Sequence, residues 1–175
     1  VHSSFYLSAH TVSIGLIGPG LVGGALLDQI ASQVERLRRD FKIDLRVRGI
    51  AGSSAMRLVQ GSVELARWRE EYAAGEGPVD LERFADHVHA DQFPHAVIID
   101  CSANADVANR YAHWLSEGIH IVTPNKKANS AGYEYYERLR ESRRAAGSHY
   151  LYEATVGAGL PVIQTLRDLR ETGDE

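Results

Sequence analysis

One apolar run that passes directly into a glycine-rich segment constrains the fold more than any other feature of the chain. The run covers residues 11–17 and reads Thr-Val-Ser-Ile-Gly-Leu-Ile, and the segment after it reads Gly18-Pro-Gly-Leu-Val-Gly23. Apolar residues then recur at helical spacing, at Leu21, Val22, Ala25, Leu26, Ile30, Val34 and Leu37. The pattern predicts a strand, a tight glycine turn and a helix that ends near Arg39.

The spacing of the glycines in this turn is typical of dinucleotide-binding sites. Gly18 would make the tight turn, Gly20 would let the backbone approach a pyrophosphate, and Gly23 would let the helix lie close to the strand. The free N–H groups at the helix start would stabilise the pyrophosphate without a basic side chain. We therefore expect cofactor contacts from Gly18, Pro19, Gly20, Leu21, Val22 and Gly23. A glycine turn without a ligand is the alternative interpretation.

Composition narrows the class of protein. The 175 residues, 44% of them hydrophobic, suffice for one full core, while a net charge of −4 argues against nucleic acid or an anionic membrane as partner. A single cysteine excludes an internal disulfide and suits the cytoplasm, and no apolar run approaches the ~20 residues of a membrane span. The start of the chain lacks a methionine and a signal-peptide pattern, so we interpret residues 1–10 as a linker within a longer polypeptide.

The residues after the second predicted strand indicate the type of cofactor. This strand covers residues 43–51, and its alternation places Arg46 and Arg48 on a solvent-facing side. A site for NAD normally has an acidic residue just after such a strand, but residues 52–57 read Gly-Ser-Ser-Ala-Met-Arg. We therefore expect NADP to bind at least as well as NAD, with Ser53, Ser54 and Arg57 nearest the 2′-phosphate. Alternatively, Ser53 caps a following helix and Arg57 is solvated.

The middle of the chain predicts two short helices and then a buried strand. The helices cover residues 63–73 and 79–90, with Pro78 at the start of the second, and no third strand is predicted within residues 61–92. The strand covers residues 95–101 and is continuously apolar, as in the interior of a parallel sheet. Ser102 follows it and is placed to meet the cofactor. We interpret Cys101 as a small buried residue and not as a nucleophile.

The following strand, residues 119–123, stops at Pro124, so we expect Asn125 and Lys126 to emerge at the ligand edge of the sheet. A helix over residues 130–146 should then turn three side chains inward: Tyr133, Tyr136 and Leu139.

A last strand over residues 149–154 leads into a glycine-containing turn and a helix over residues 162–171. Glu153 beside the carbonyls of that turn offers oxygen ligands for a main-group cation. A plain connection between two domains is the alternative interpretation.

Three motifs in this order resemble those of homoserine dehydrogenase, in the form that bacteria fuse behind an aspartate kinase. They are Gly18-Pro-Gly-Leu-Val-Gly23, Thr123-Pro-Asn-Lys-Lys127 and Glu153-Ala-Thr-Val-Gly-Ala-Gly-Leu-Pro161, and the resemblance covers residues 11–175. Members of that family interconvert L-aspartate 4-semialdehyde and L-homoserine with NAD(P)H, in the pathway to threonine and methionine.

The resemblance implies roles for particular residues. The glycine turn and Ser102 would bind the dinucleotide, and Lys126 would lie at the cofactor and act in catalysis. A sodium ion would be held by Glu153 and by three carbonyl groups, those of Val156, Ala158 and Leu160.

We therefore expect a doubly wound, mostly parallel Rossmann-type α/β sheet over residues 11–152, with helices on both faces. Residues 153–175 would begin a truncated second domain, which in the family supplies the substrate-binding acids, a further lysine and the dimer interface. The parent protein would then be a homo-oligomer acting on a small molecule, and this chain would bind cofactor but be nearly inactive. The alternatives are another Rossmann oxidoreductase, such as aspartate-semialdehyde dehydrogenase with a cysteine nucleophile, or a regulatory cofactor-binding module without catalysis.

Overall fold

The centre of the molecule is a six-stranded sheet with the strand order β3-β2-β1-β4-β5-β6. The computed structural model describes residues 10–75 and 77–173, so the predicted linker lies almost wholly outside the described residues. The edge strand β3 is antiparallel, while every other pair is parallel, as expected. The strands are β1 (Thr11–Ile17), β2 (Asp44–Ala51), β3 (Met56–Leu58), β4 (His95–Asp100), β5 (His120–Val122) and β6 (Tyr150–Leu151).

Helices cover both faces of the sheet, which confirms the doubly wound architecture. They are α1 (Leu21–Phe41), α2 (Trp68–Ala73), α3 (Leu81–Val88), α4 (Ala105–Ala108), α5 (Tyr111–Ser116), α6 (Tyr133–Ala146) and α7 (Val162–Thr172). One core cluster joins the sheet to α1 and α2, and the other joins it to α3, α5 and α6. Side chains of β4 alternate between the two clusters, since Ile98 belongs to one and Ile99 to the other. Within the described residues, no helix is long and apolar enough to cross a membrane.

The sequence did not predict β3. Residues 52–55 form a tight turn in which the Gly52 N–H donates to the Ala55 carbonyl at 2.9 Å, and the chain then pairs back along β2. Three residues are too few to show an alternating pattern, and the pairing with β2 is what defines the strand.

Arg48 was expected on a solvent-facing side, and this was wrong, because its side chain is only 1% exposed. The guanidinium donates to the carbonyls of Gln60 and His87 and lies 4.2 Å from the centre of the Phe93 ring. The His87 carbonyl belongs to the last turn of α3, so the negative end of that helix takes the place of a carboxylate. Burial lowers the pKa of Arg48.

Two helix boundaries differ from the prediction, and a side-chain cap determines one of them. The second predicted helix begins at Leu81, where the Asp80 carboxylate accepts the N–H groups of Glu82 and Arg83 at 3.0 Å each. Pro78 therefore precedes α3 and does not occupy its first position. Of the predicted helix over residues 63–73, only Trp68–Ala73 is α-helical, after a short 3₁₀ turn.

The helix predicted from residue 130 begins at Tyr133, and its inward face differs from the prediction. Tyr133 is 74% exposed, whereas Tyr135 and Leu139 are buried in the core cluster that α6 shares with α5. Tyr135 and Leu139 are four residues apart and share one face of α6. The predicted inward face was correct for Leu139 and wrong for Tyr133, while Tyr136 is half-buried.

Candidate cofactor-binding site

The turns that follow β1, β4 and β5 meet at one edge of the sheet, because the carboxyl ends of parallel strands share an edge. The chain leaves β1 toward β2 on one side, while β4 lies on the other side of β1. The order of strands therefore reverses at β1, and ligands of such folds bind outside the carboxyl ends at this switch point.

The turn after β1 has the geometry that requires glycine at two positions. Gly18 has φ of 85°, and a Cβ added there would lie 2.7 Å from the backbone nitrogen of Ser102. A Cβ at Gly23 would lie 2.2 Å from the carbonyl oxygen of Gly18. At Gly20, by contrast, an added Cβ would meet no atom within 4 Å. The turn is therefore closely packed against the protein at Gly18 and Gly23, and it leaves free space next to Gly20.

The start of α1 has no acceptor of its own for its first N–H groups. Gly20 precedes the helix and makes no side-chain cap, and the first turn contains no acidic residue. Leu21 and Val22 were expected on the apolar face of the helix, but they are 94% and 57% exposed, because α1 contacts the sheet only from Gly23 onward. This end of α1 can therefore receive an external anion.

Two cavities lie next to the glycine turn. The larger, about 800 Å³, has Ile17 in its wall together with Ser53 and Asn104. The other, about 600 Å³, has Leu21 and Val22 in its wall. The second is mostly apolar, and its wall also includes Ile99, Cys101, Val122, Pro124 and Leu151. One cavity thus borders the residue before the turn, and the other borders the two residues that begin α1.

Ser102 lies against the glycine turn, as its position after β4 predicted. Its backbone N–H donates to Oδ1 of Asp100 at 2.7 Å, and its Oγ accepts the N–H of Asn104 at 3.2 Å. The close approach of its backbone nitrogen to Gly18 joins the turns after β1 and β4. The structure therefore brings Ser102 and Gly18 together.

A buried carboxylate, which the sequence analysis had not singled out, lies beneath these turns. Asp100 is 0% exposed and accepts hydrogen bonds from the N–H of Ser102, from Nδ2 of Asn125 at 2.9 Å and from the hydroxyl of Tyr111. Burial, reinforced by the nearby Asp100, raises the pKa of Tyr111. The phenol therefore acts as a hydrogen-bond donor at all ordinary pH values.

Asn125 was expected to emerge at the ligand edge, but it is only 3% exposed. Its Nδ2 also donates to the Asn104 carbonyl at 3.0 Å, its Oδ1 accepts the N–H of Lys127 at 3.0 Å, and its own N–H donates to Oγ1 of Thr123 at 2.8 Å. The side-chain amide of Asn125 is buried because both its nitrogen and its oxygen have hydrogen-bond partners inside the protein. Lys126, the next residue, is exposed on the same turn, as predicted.

The residues predicted around the 2′-phosphate lie on and after the turn between β2 and β3. Ser53 and Ser54 are exposed on that turn, and Ser53 caps no helix because β3 follows it. Arg57 lies on β3, where its guanidinium pairs with the Glu71 carboxylate at 3.0 Å. The side chain of Arg57 is therefore held in place, with its charge offset, and is not simply solvated.

Cys101 lies at the end of β4 and is half-buried in the wall of the apolar cavity. Burial, together with the charge of Asp100, raises the pKa of its thiol to about 11. The thiolate form is therefore scarce near neutral pH, which disfavours a cysteine nucleophile.

The four residues of the predicted cation site lie on one segment of chain between β6 and α7. The Glu153 carboxylate accepts the N–H of Ile163 at 2.8 Å and that of Gln164 at 3.1 Å, and so caps α7. Val156, Ala158 and Leu160 are exposed on the intervening loop. Across the described residues, no three or more His, Cys, Asp or Glu side chains are grouped to hold a metal ion.

Comparisons with known proteins point to one family. Residues 18–153 match a model of the homoserine dehydrogenase NAD-binding domain. A chloroplastic bifunctional aspartokinase/homoserine dehydrogenase of Arabidopsis thaliana is 53% identical over the whole chain, which spans 19% of that protein. The homoserine dehydrogenase of Schizosaccharomyces pombe is 32% identical over 96% of the chain, which spans 45% of that enzyme.

Solved structures include a homologue with the same fold. A hyperthermophilic archaeal homoserine dehydrogenase in complex with NADPH aligns with 90% of this chain and 48% of its own, with a TM-score of 0.72 and 27% identity. The match to the family model covers the glycine turn, Ser102 and the turn after β5. This chain therefore belongs to the homoserine dehydrogenase family, of which it forms the NAD-binding domain.

Proposed function

We propose that this chain is the nucleotide-binding part of an enzyme that interconverts L-aspartate 4-semialdehyde and L-homoserine, and that NADP or NAD binds across its glycine turn. One observation carries the proposal: the turn is closed on its protein side at Gly18 and Gly23 but open above Gly20, next to an uncapped helix start. The N–H groups of that first turn would hold the pyrophosphate.

The two cavities would take the two ends of the cofactor. The larger one, bordered by Ser53 and Asn104, would hold the adenosine, and the apolar one beside Leu21 and Val22 would hold the nicotinamide. Apolar walls exclude water from the nicotinamide face. When bound, the cofactor supplies the hydride for the aldehyde.

We expect NADP to be favoured over NAD. The turn after β2 carries two serine hydroxyls and no acidic side chain that would repel a 2′-phosphate, and Arg57 follows it. The pairing of Arg57 with Glu71 offsets part of its charge, so the preference would be modest. The complex of the archaeal relative with NADPH agrees with this choice.

Lys126 is the residue of this chain that we expect to act in catalysis. Its exposed ammonium group, on the turn after β5, could stabilise negative charge on the cofactor or on the substrate oxygen as the hydride arrives. By resemblance, a second domain, beginning near residue 153, supplies the anchors for the amino-acid end of the substrate and the contacts of a homo-oligomer. We therefore expect this chain alone to bind cofactor and to oxidise homoserine negligibly.

The proposal includes a sodium ion held by Glu153 and by the carbonyls of Val156, Ala158 and Leu160. An all-oxygen ligand set of this kind fits a hard cation. A cytoplasmic location also belongs to the proposal, and the name of the Arabidopsis relative places that protein in the chloroplast.

Calorimetric titration of this chain with NADPH and, separately, with NADH tests the proposal. We expect tighter binding of NADPH, and Arg57→Ala should bring its affinity down to the NADH level. Arg67→Ala is the matched control, because Arg67 is exposed and pairs with the neighbouring Glu70. Failure of both cofactors to bind would overturn the proposed function. Equal affinities for the two would overturn only the 2′-phosphate assignment, and homoserine-dependent production of NADPH would contradict the expected inactivity.

A further inference from the structure

The buried polar cluster of Asp100, Tyr111, Thr123 and Asn125 lies directly beneath the edge where the cofactor would bind. Its members come from the ends of two neighbouring strands, from the turn after β5 and from the first residue of α5. All four side chains are at most 3% exposed. Polar side chains this deeply buried are costly unless every group is hydrogen-bonded.

The cluster joins the two turns that carry the predicted site residues. Asp100 holds the backbone N–H of Ser102, which in turn packs on Gly18. The same carboxylate holds the amide of Asn125, whose next residue is Lys126. One carboxylate therefore determines the position of the β4 turn relative to the β5 turn.

The chemistry of the cluster calls for a carboxylate at one position and an amide at the other. Asp100 accepts from three donors, and two carboxylate oxygens can accept all of them without themselves needing a donor. Asn125 both donates, to Asp100 and to the Asn104 carbonyl, and accepts from Lys127. Within the described residues, Asp100 contacts no lysine, arginine or histidine. The buried carboxylate is therefore stabilised by hydrogen bonds and not by an ion pair.

We propose that Asp100 and Asn125 are positioning residues for nucleotide binding: their contact holds Ser102 and Lys126 in the relative arrangement that receives the cofactor. This inference rests on the proposed function. Neither side chain touches the ligand. Each acts through the backbone of the turn that it anchors. Breaking their contact should therefore weaken NADPH binding even under conditions in which the chain stays folded.

An exchange of the two side chains distinguishes positioning from a purely structural role. Asp100→Asn sets one amide against another, and Asn125→Asp sets one carboxylate against another. In the double variant the introduced amide can donate to the introduced carboxylate, and its oxygen can still accept the Ser102 N–H. The Tyr111 hydroxyl, which loses the Asp100 carboxylate as acceptor, can donate to Oγ1 of Thr123 at 3.1 Å. The Asn104 carbonyl loses its donor, but Asn104 is exposed and water can replace it.

The measurement is the affinity for NADPH, by calorimetry and by the fluorescence of bound NADPH, at a temperature at which every variant is folded. We expect each single variant to lose about tenfold in affinity, which corresponds to about 1.4 kcal/mol, since each breaks a hydrogen bond between the two turns. The double variant should recover to within about threefold of the unchanged chain.

Ser148→Ala is the matched control. The Ser148 hydroxyl is buried and donates to the Leu115 carbonyl at 2.8 Å. Ser148 lies just before β6, far from the carboxyl ends of the strands. Its removal should lower stability and leave NADPH affinity unchanged.

Single variants that bind NADPH as tightly as the unchanged chain would overturn the inference and leave the proposed function intact. A double variant no better than the single ones would also overturn it, because the loss would then come from general disruption. Absence of NADPH binding by the unchanged chain would overturn the proposed function, and this inference with it.

Discussion

The turn after β1 and the turns after β4 and β5 lie at the same edge of the sheet but are held in place differently. Gly18 and Gly23 shape the first turn by contributing no side chain, so that backbone packs directly on backbone. Buried side chains shape the other two, through the hydrogen bonds of Asp100, Thr123 and Asn125.

This difference predicts different sensitivities to mutation. A turn made by close backbone contact tolerates no added volume, since nothing at that point can move aside. A turn made by side-chain hydrogen bonds tolerates little change in polarity, since each lost partner leaves a buried group unsatisfied. Two measurements test this comparison, and a third contrasts this edge of the sheet with the opposite one.

The largest effect is expected for Gly23→Val. The added Cβ would lie 2.2 Å from the carbonyl oxygen of Gly18, and a backbone atom can yield only if the turn opens. We expect a loss of about 3 kcal/mol or more in the free energy of unfolding, measured in urea. Gly20→Ala is the control, because its Cβ meets no atom within 4 Å and φ is −77°, and it should cost about 0.5 kcal/mol. Similar losses for both would contradict a turn held by close backbone contact.

A smaller effect is expected for Thr123→Val, which keeps the shape and removes the hydroxyl. That hydroxyl donates to the Asp100 carbonyl at 2.7 Å and accepts the N–H of Asn125. We expect a loss of about 2 kcal/mol, because the Asn125 N–H stays buried without a partner. The same change at the exposed Thr165 of α7 serves as the control. An equally small loss at both positions would show that the β5 turn does not depend on its polar contacts.

The smallest effect concerns the opposite edge of the sheet. There the His120 ring lies 5.0 Å from that of His149 and 6.4 Å from that of His95, centre to centre. Burial and then the two neighbouring imidazoles lower the pKa of His120. The unfolded chain therefore takes up this proton more readily, so the stability is complete above about pH 6.5 and declines as the pH falls below it.

Urea unfolding of the unchanged chain and of His120→Gln, between about pH 8 and about pH 5, measures this contribution. The variant should lose less stability on acidification than the unchanged chain. Equal pH dependence of the two would remove His120 as its source. NADPH affinity of the variant at neutral pH should be unchanged, since the histidines lie at the other ends of the strands.

Much of the candidate site could be predicted from local sequence. The glycine spacing indicated one turn that is tight at Gly18 and Gly23 and open at Gly20. Ser102 was placed at the same edge of the sheet because it follows a continuously apolar strand. These inferences depend on contacts between residues close in sequence or on a general property of parallel sheets, so no knowledge of distant partners was needed.

The errors for Arg48 and Asn125 share a cause. Arg48 was assigned to solvent because its strand alternates, yet α3 and the loop after β3 cover that face. Asn125 was assigned to the ligand edge because Pro124 ends the strand, yet Asp100, 25 residues earlier, binds its amide. In both cases a distant partner satisfies a polar group that local patterns place in water.

The sequence by itself determined the glycine turn and every strand except β3, because backbone conformation and hydrophobic periodicity are local properties, and its three motifs indicated the family. Only the tertiary structure decided which polar side chains are buried, that Arg57 pairs with Glu71, and that one carboxylate joins the turns of two strands. Such contacts require several segments to meet at one point, and their hydrogen-bond energies depend on burial that no single segment creates.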